Sequence, residues 1–112
     1  MDDNIKKSLE DILYAIDEIE LFFVSIPKQY DEFLNNTLLR RAVERNIEVI
    51  GEAMNRILKA DSNISITNAR QIVDTRNYII HGYDTLVPDI LWSIVINHLP
   101  LLKQEVNEFL NK

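Results

Sequence analysis

Apolar positions along this chain recur at helical spacing. Ile5, Leu9, Ile12, Ile16, Ile19, Phe23 and Ile26 follow one another at alternating steps of four and three. That rhythm keeps one side of an α-helix apolar and predicts a long helix over residues 3–25. Pro27, with its fixed φ and missing N–H, ends that helix or opens the next segment. A short helix is predicted over residues 28–35. Leu39, Val43, Asn46, Ile50, Ala53 and Ile57 repeat the rhythm, widened by Ile47, Met54 and Leu58, and predict a second long helix over residues 37–59. Asn46 is a polar residue inside that seam, and a hydrogen bond to the neighbouring helix that sets register is its expected role. Gly51 lowers helix propensity and marks an expected close approach of another helix.

Residues 60–65, Ala-Asp-Ser-Asn-Ile-Ser, read as a loop with capping residues. A third helix is predicted from 66 to 81, with Ser65 or Thr67 as N-cap and Gly82 as its stop. Pro88 suits the first turn of a further helix carrying Ile90, Leu91, Ile94 and Val95. That helix is expected to bend at Pro100 before Leu101, Leu102, Val106, Phe109 and Leu110 close the chain. No period-two alternation competes with this pattern. The prediction is an all-α bundle forming one domain over residues 1–112.

Composition narrows the class. The 112 residues contain no cysteine and no apolar run long enough for a membrane span. The start, Met-Asp-Asp-Asn, is acidic and lacks an apolar signal region. The expectation is a cytoplasmic protein that does not enter the membrane. A net charge of −6 is unusual for a protein that handles nucleic acid, but the charge is unevenly spread. Residues 1–36 hold three Lys/Arg against nine Asp/Glu, residues 37–81 seven against five, and residues 82–112 two against four. Only the middle block is net basic. Six of its seven cations are arginines: Arg40, Arg41, Arg45, Arg56, Arg70 and Arg76. Arginine forks match phosphate geometry, although ordinary pairing with Glu44, Glu48 and Glu52 along the helix surface is the expected fate of most of them.

The candidate chemistry lies in Arg76-Asn-Tyr-Ile-Ile-His81-Gly-Tyr83. On a wheel of about 100° per residue, Ala69, Ile72, Val73, Ile79 and Ile80 form an apolar stripe. Arg76 falls in its middle and Asn77 on its edge. A guanidinium there is costly unless it is paired. One resolution is an ion pair with Glu48 or Glu52 that ties the bundle together. The other is a cleft in which Arg76 binds phosphate. His81 lies about 140° round the wheel from Arg76, at the rim of such a cleft, and a second chain related by a twofold axis would complete the site. These residue types suit RNA cleavage by the substrate's own 2′-hydroxyl. Histidine can move protons near neutral pH, arginine stabilises charge developing on phosphate, and no metal is required.

The segment resembles the Arg-Asn-X3-His core of the HEPN superfamily, with Gly82 and Tyr83 matching its HepT-like extension. The resemblance extends over residues 41–57 and 70–102. It implies a HEPN-type four- to five-helix up-and-down bundle, a homodimer, and a ribonuclease toxin cutting RNA at a cleft between protomers. Arg76 and His81 would be the catalytic pair, with Asn77 in support. It also implies a partner, a minimal nucleotidyltransferase antitoxin that adds AMP to Tyr83. No cofactor is implied.

Two other readings stand beside this one: a non-catalytic nucleotide-binding subunit of a nucleotidyltransferase, and a helical dimeric adaptor. Metal binding is disfavoured by the absence of Glu-X2-His, His-X3-His and cysteine. His98, among apolar neighbours, reads as structural or surface.

Overall fold

A computed structural model describes residues 1–80 and 88–112. Helix α1 spans Asp3–Ser25, α2 Tyr30–Leu34, α3 Thr37–Ala60 and α4 Ala69–Ile80. After the undescribed segment come α5, Pro88–Ser93, a π-helical turn, Ile94–His98, and α6, Leu99–Leu110. No strand occurs among the described residues. Taking α5, the π turn and α6 as one continuous rod, four rods form the bundle and α2 adds a short fifth helix. The four- to five-helix expectation is met.

Helix boundaries follow local chemistry. The Asp2 carboxylate caps α1 by accepting the N–H groups of Asn4 and Ile5 at 2.7 and 3.2 Å. At the far end Ile26 is extended, at φ −113° and ψ 125°, as steric conflict with a following proline demands. Asn36 caps α3 through Leu39 N–H at 2.9 Å.

Helices α1 and α3 run antiparallel, as their cross-links show. Asn46 reaches Ala15 and Glu18, whereas Arg56 reaches Ser8 and Asp11. Leu9, Ile12, Ile16 and Ile19 of α1 are buried against Val43, Ile50 and Ile57 of α3. Each such side chain contributes about 1.5–3 kcal/mol on leaving water. Asn46 is buried, and its Nδ2 donates to Ala15 O at 3.1 Å and Glu18 Oε1 at 2.9 Å. The register role expected from its place in the seam is met.

Trp92 of α5 packs against α1 and α2. Its ring centroid lies 5.9 Å from Phe23, 6.2 Å from Tyr30 and 5.2 Å from Phe33. Tyr30 also donates its hydroxyl hydrogen to Asp89, tying α2 to α5. Helix α6 leans on α1, where Lys103 pairs with Asp17 at 3.0 Å and Glu20 at 2.9 Å.

Two local expectations need correction. The third predicted helix begins at Ala69, after the expected start at 66, and neither Ser65 nor Thr67 caps it. Asn68 takes a left-handed conformation at φ 60°, which asparagine tolerates better than most residues. The Thr67 N–H instead donates to the Glu105 carboxylate of α6 at 2.9 Å. The helix expected to bend at Pro100 is instead interrupted just before it by a π turn, Ile94–His98. Pro100 has no N–H for Ile96 O and its ring crowds that carbonyl. The chain widens before it: Leu99 N–H bonds Ile94 O, five residues back, in a π turn.

Candidate active site

Helix α4 is positioned by a glycine. Among the described elements it packs on α3 alone, and the closest point of the crossing is Gly51. A Cβ built on Gly51 would overlap Arg76 Cβ outright, stand 2.9 Å from Arg76 Cγ and 3.1 Å from Ile72 O. The absence of a side chain at Gly51 therefore admits the stem of one particular residue, the arginine in the apolar stripe.

The two helices hold that arginine half-buried. Its Nη1 donates to Asn77 Oδ1 at 2.9 Å. Its Nε is buried and has no hydrogen-bond partner among the described residues. No carboxylate there lies within ion-pair distance of it: Glu48 pairs with Arg45 at 3.2 Å, and Glu52 does not reach. The tying ion pair with Glu48 or Glu52, one of the two resolutions open from sequence, is not made. A half-buried guanidinium whose N–H finds no partner among the described residues carries a desolvation cost that an anion would offset.

Asn77 adds to this. With Oδ1 accepting from Arg76, its NH2 group is left to donate. Arg76 and Asn77 thus form a short fork of N–H donors at the edge of the α3–α4 crossing. Such a fork suits the planar oxygens of a carboxylate or phosphate. Because the Arg76 stem is trapped against Gly51, little side-chain entropy remains to be lost on binding.

The structure brings Arg76 and Asn77 together. His81, Gly82 and Tyr83 lie outside the described residues. Among those described, no group of three His, Cys, Asp or Glu residues is arranged to hold a metal ion. No described helix is long and apolar enough to cross a membrane.

A second feature lies on another flank of α4. Between α4 and the π turn runs an apolar groove of about 470 Å³, its open mouth included, with Ile72 on one wall and Ile94 on the other. Asn68, Gln71, Thr75 and His98 also line it. Sequence reading assigned none of these a role. The available signal was the spacing of Gln71 and Thr75 at i, i+4 on one side of α4, with Asn68 three residues before Gln71.

This arrangement is a small all-α bundle with an arginine and an asparagine paired on its fourth helix. Comparison with known proteins gives the family. The family model described as Ribonuclease HepT-like matches residues 12–109. A protein of Methanocaldococcus jannaschii named "Putative RNase" is 36% identical over 105 residues, covering 92% of this chain and 94% of that one. A Thermococcus cleftensis protein named "Probable ribonuclease HepT" is 33% identical over 99 residues, covering 88% of each chain. No solved structure gives a significant match. The chain belongs to the HepT-like ribonuclease family.

Proposed function

We propose that this chain is a metal-independent endoribonuclease that cuts RNA by attack of the substrate's own 2′-hydroxyl. The observation that carries this is the state of Arg76: half-buried, tethered to Asn77 at 2.9 Å, and without a carboxylate partner among the described residues. A purely structural arginine in an apolar stripe would be expected to have found its acid.

In this reading Arg76 and Asn77 hold the non-bridging oxygens of the scissile phosphate and stabilise the negative charge that builds up on them. The 2′-oxygen attacks phosphorus, the 5′-oxygen leaves, and a 2′,3′-cyclic phosphate is formed. A base takes the 2′-hydroxyl proton and an acid gives one to the 5′-oxygen. His81 is assigned to proton transfer. Two copies of the chain about a twofold axis would supply two histidines, dividing the acid and base roles. Exposed apolar side chains support a face for that second copy: Ile80 at the end of α4 and Ile90 in α5 are each 45% exposed.

The same reading includes neutralisation by a minimal nucleotidyltransferase. The Tyr83 hydroxyl oxygen would attack the α-phosphorus of ATP, pyrophosphate would leave, and the phenolic proton would pass to base. The added phosphate, seven residues along from Arg76, would compete for the anion site and exclude RNA. Incubating the chain with the enzyme and ATP should add the mass of one AMP moiety, and Tyr83→Phe should abolish the gain. An unchanged mass for the wild-type chain would remove this part of the reading.

A phosphate fork could also hold a nucleotide without cutting anything, as in the binding-subunit alternative. Binding of AMP or ATP at Arg76, with RNA left intact under all conditions, would select that alternative.

A further inference from the structure

We infer that Gly51 is a positioning residue for the RNA-cutting site. The gap it leaves in α3 holds Arg76 down on the helix crossing, so that the guanidinium meets phosphate from a fixed, desolvated position beside Asn77. This rests on the ribonuclease reading for its biological meaning, while the geometry behind it is independent of any reaction.

A Cβ on Gly51 would overlap Arg76 Cβ and stand 3.1 Å from Ile72 O. Neither atom can swing aside. A Cβ is fixed by its own backbone and a helix carbonyl by its helix, so no arginine rotamer relieves the overlap. The displacement falls on α4 as a body and carries the adjacent Arg76 and Asn77 with it. Among the described elements α4 packs on α3 alone. The crossing at Gly51 therefore sets how deeply this pair sits against the bundle.

That close crossing burdens the resting chain twice. A glycine inside a helix weakens the helix. Arg76 Nε is buried with no hydrogen-bond partner among the described residues, which lowers the stability of the empty site. The buried Asn46 is the contrast, since its amide donates to Ala15 and Glu18. Asn46 needs no ligand, whereas Arg76 gains from one. Local features that oppose stability are expected at functional sites. An anion accepting from Nε offsets the second burden, and a donor already held in place loses little freedom on binding.

The test follows the Nε–H signal of Arg76 in protein labelled with 15N-arginine, assigned by its loss in Arg76→Ala, during titration with inorganic phosphate. In the wild-type chain this N–H should exchange slowly with water and its signal should move with phosphate. Exchange as fast as that of the exposed Arg41, or a signal that ignores phosphate, overturns the inference without any substitution at Gly51. Gly51→Ala, measured at a temperature where it is folded, should bind phosphate about tenfold more weakly, the effect of one lost charge-assisted hydrogen bond. Asn46→Ala, on the α1 side of α3, is the control for lowered stability and should keep wild-type phosphate affinity. Unchanged binding in Gly51→Ala overturns the inference, and so does an equal loss in Asn46→Ala. In RNA cleavage, Gly51→Ala should slow the otherwise wild-type chain and leave Arg76→Ala no slower, because it acts through that arginine. An equal loss in both backgrounds also overturns the positioning role. Protein whose phosphate binding depends on Gly51 yet never cuts RNA defeats the ribonuclease reading alone. Protein that cuts RNA as well with Gly51→Ala as without it defeats the positioning role alone.

Discussion

Gly51 and Arg76 are fitted to one another: the stem of the arginine rests where the glycine has no side chain, and a Cβ there would stand 2.9 Å from Arg76 Cγ. Glycine inside a helix ordinarily costs about 0.5–1 kcal/mol relative to alanine. Gly51→Ala should therefore stabilise α3 if propensity decided the outcome. The overlap involves Arg76 Cβ and the Ile72 carbonyl as well as the flexible end of a side chain, so the overpacking cost of about 1–3 kcal/mol should dominate. Urea denaturation should show Gly51→Ala destabilised, and a variant as stable as wild type or more so would show the crossing to be looser than described. Shortening the arginine to alanine in the same chain should not rescue it, because the clashing Cβ remains.

Asn46 gives a second test through charge. Its amide donates to both the Ala15 carbonyl and the Glu18 carboxylate. Asn46→Ala should cost about 1–2 kcal/mol, from a lost buried hydrogen bond and a small void. Asn46→Asp is nearly isosteric but sets an acceptor-only carboxylate against two acceptors, one of them charged. Thermal melts at neutral pH should rank aspartate well below alanine. The reverse order would mean that volume, not hydrogen bonding, holds that register.

How much of this was readable beforehand differs between the fold and the site. The limits of α1 followed directly from the four-three rhythm and Pro27, because α1 buries a long apolar stripe whose burial outweighs every local preference. Helix α4 was less legible. Its start is decided by the left-handed Asn68 and by the Glu105 carboxylate, 38 residues away in sequence from the Thr67 N–H it accepts. No periodicity encodes such a tertiary bond. The wheel placed Arg76 among apolar residues but could not say whether Glu48 would reach it. In the structure Glu48 pairs instead with Arg45, one turn earlier on the same helix. Gly51 was legible as a close approach, while the identity of the approaching residue was not. The groove went unread because Asn68, Gln71, Thr75 and His98 converge only once α4 and the π turn are placed on α3.

Alkaline pH should loosen the ties of α6 to α1 and of α2 to α5. Hydrogen bonds to Glu20 and Asp17 raise the Lys103 ammonium above the ordinary lysine range. The hydrogen bond to Asp89, chiefly, raises the Tyr30 phenol. In both cases the folded chain holds its proton more tightly than the unfolded chain. The stabilisation is therefore complete below the unfolded-state values, near pH 10, and is lost as pH rises through the folded-state values. Melting temperature should fall above about pH 10, and Lys103→Met with Tyr30→Phe should flatten that fall. An identical decline in the doubly substituted chain would place its origin elsewhere.

The central claim, that Arg76 and His81 form a metal-independent RNA-cutting site, is tested most directly by RNA cleavage in excess EDTA. Arg76→Ala suits this purpose, since alanine keeps the Cβ that rests on Gly51 while the rest of the stem and its charge are removed. Wild-type protein should cut RNA and leave 2′,3′-cyclic phosphate termini. Arg76→Ala and His81→Ala should each lose at least about a hundredfold in rate while unfolding at the wild-type denaturant concentration. Cleavage at the wild-type rate by both well-folded variants, or cleavage by the wild-type chain only when a divalent metal is restored, would contradict the account.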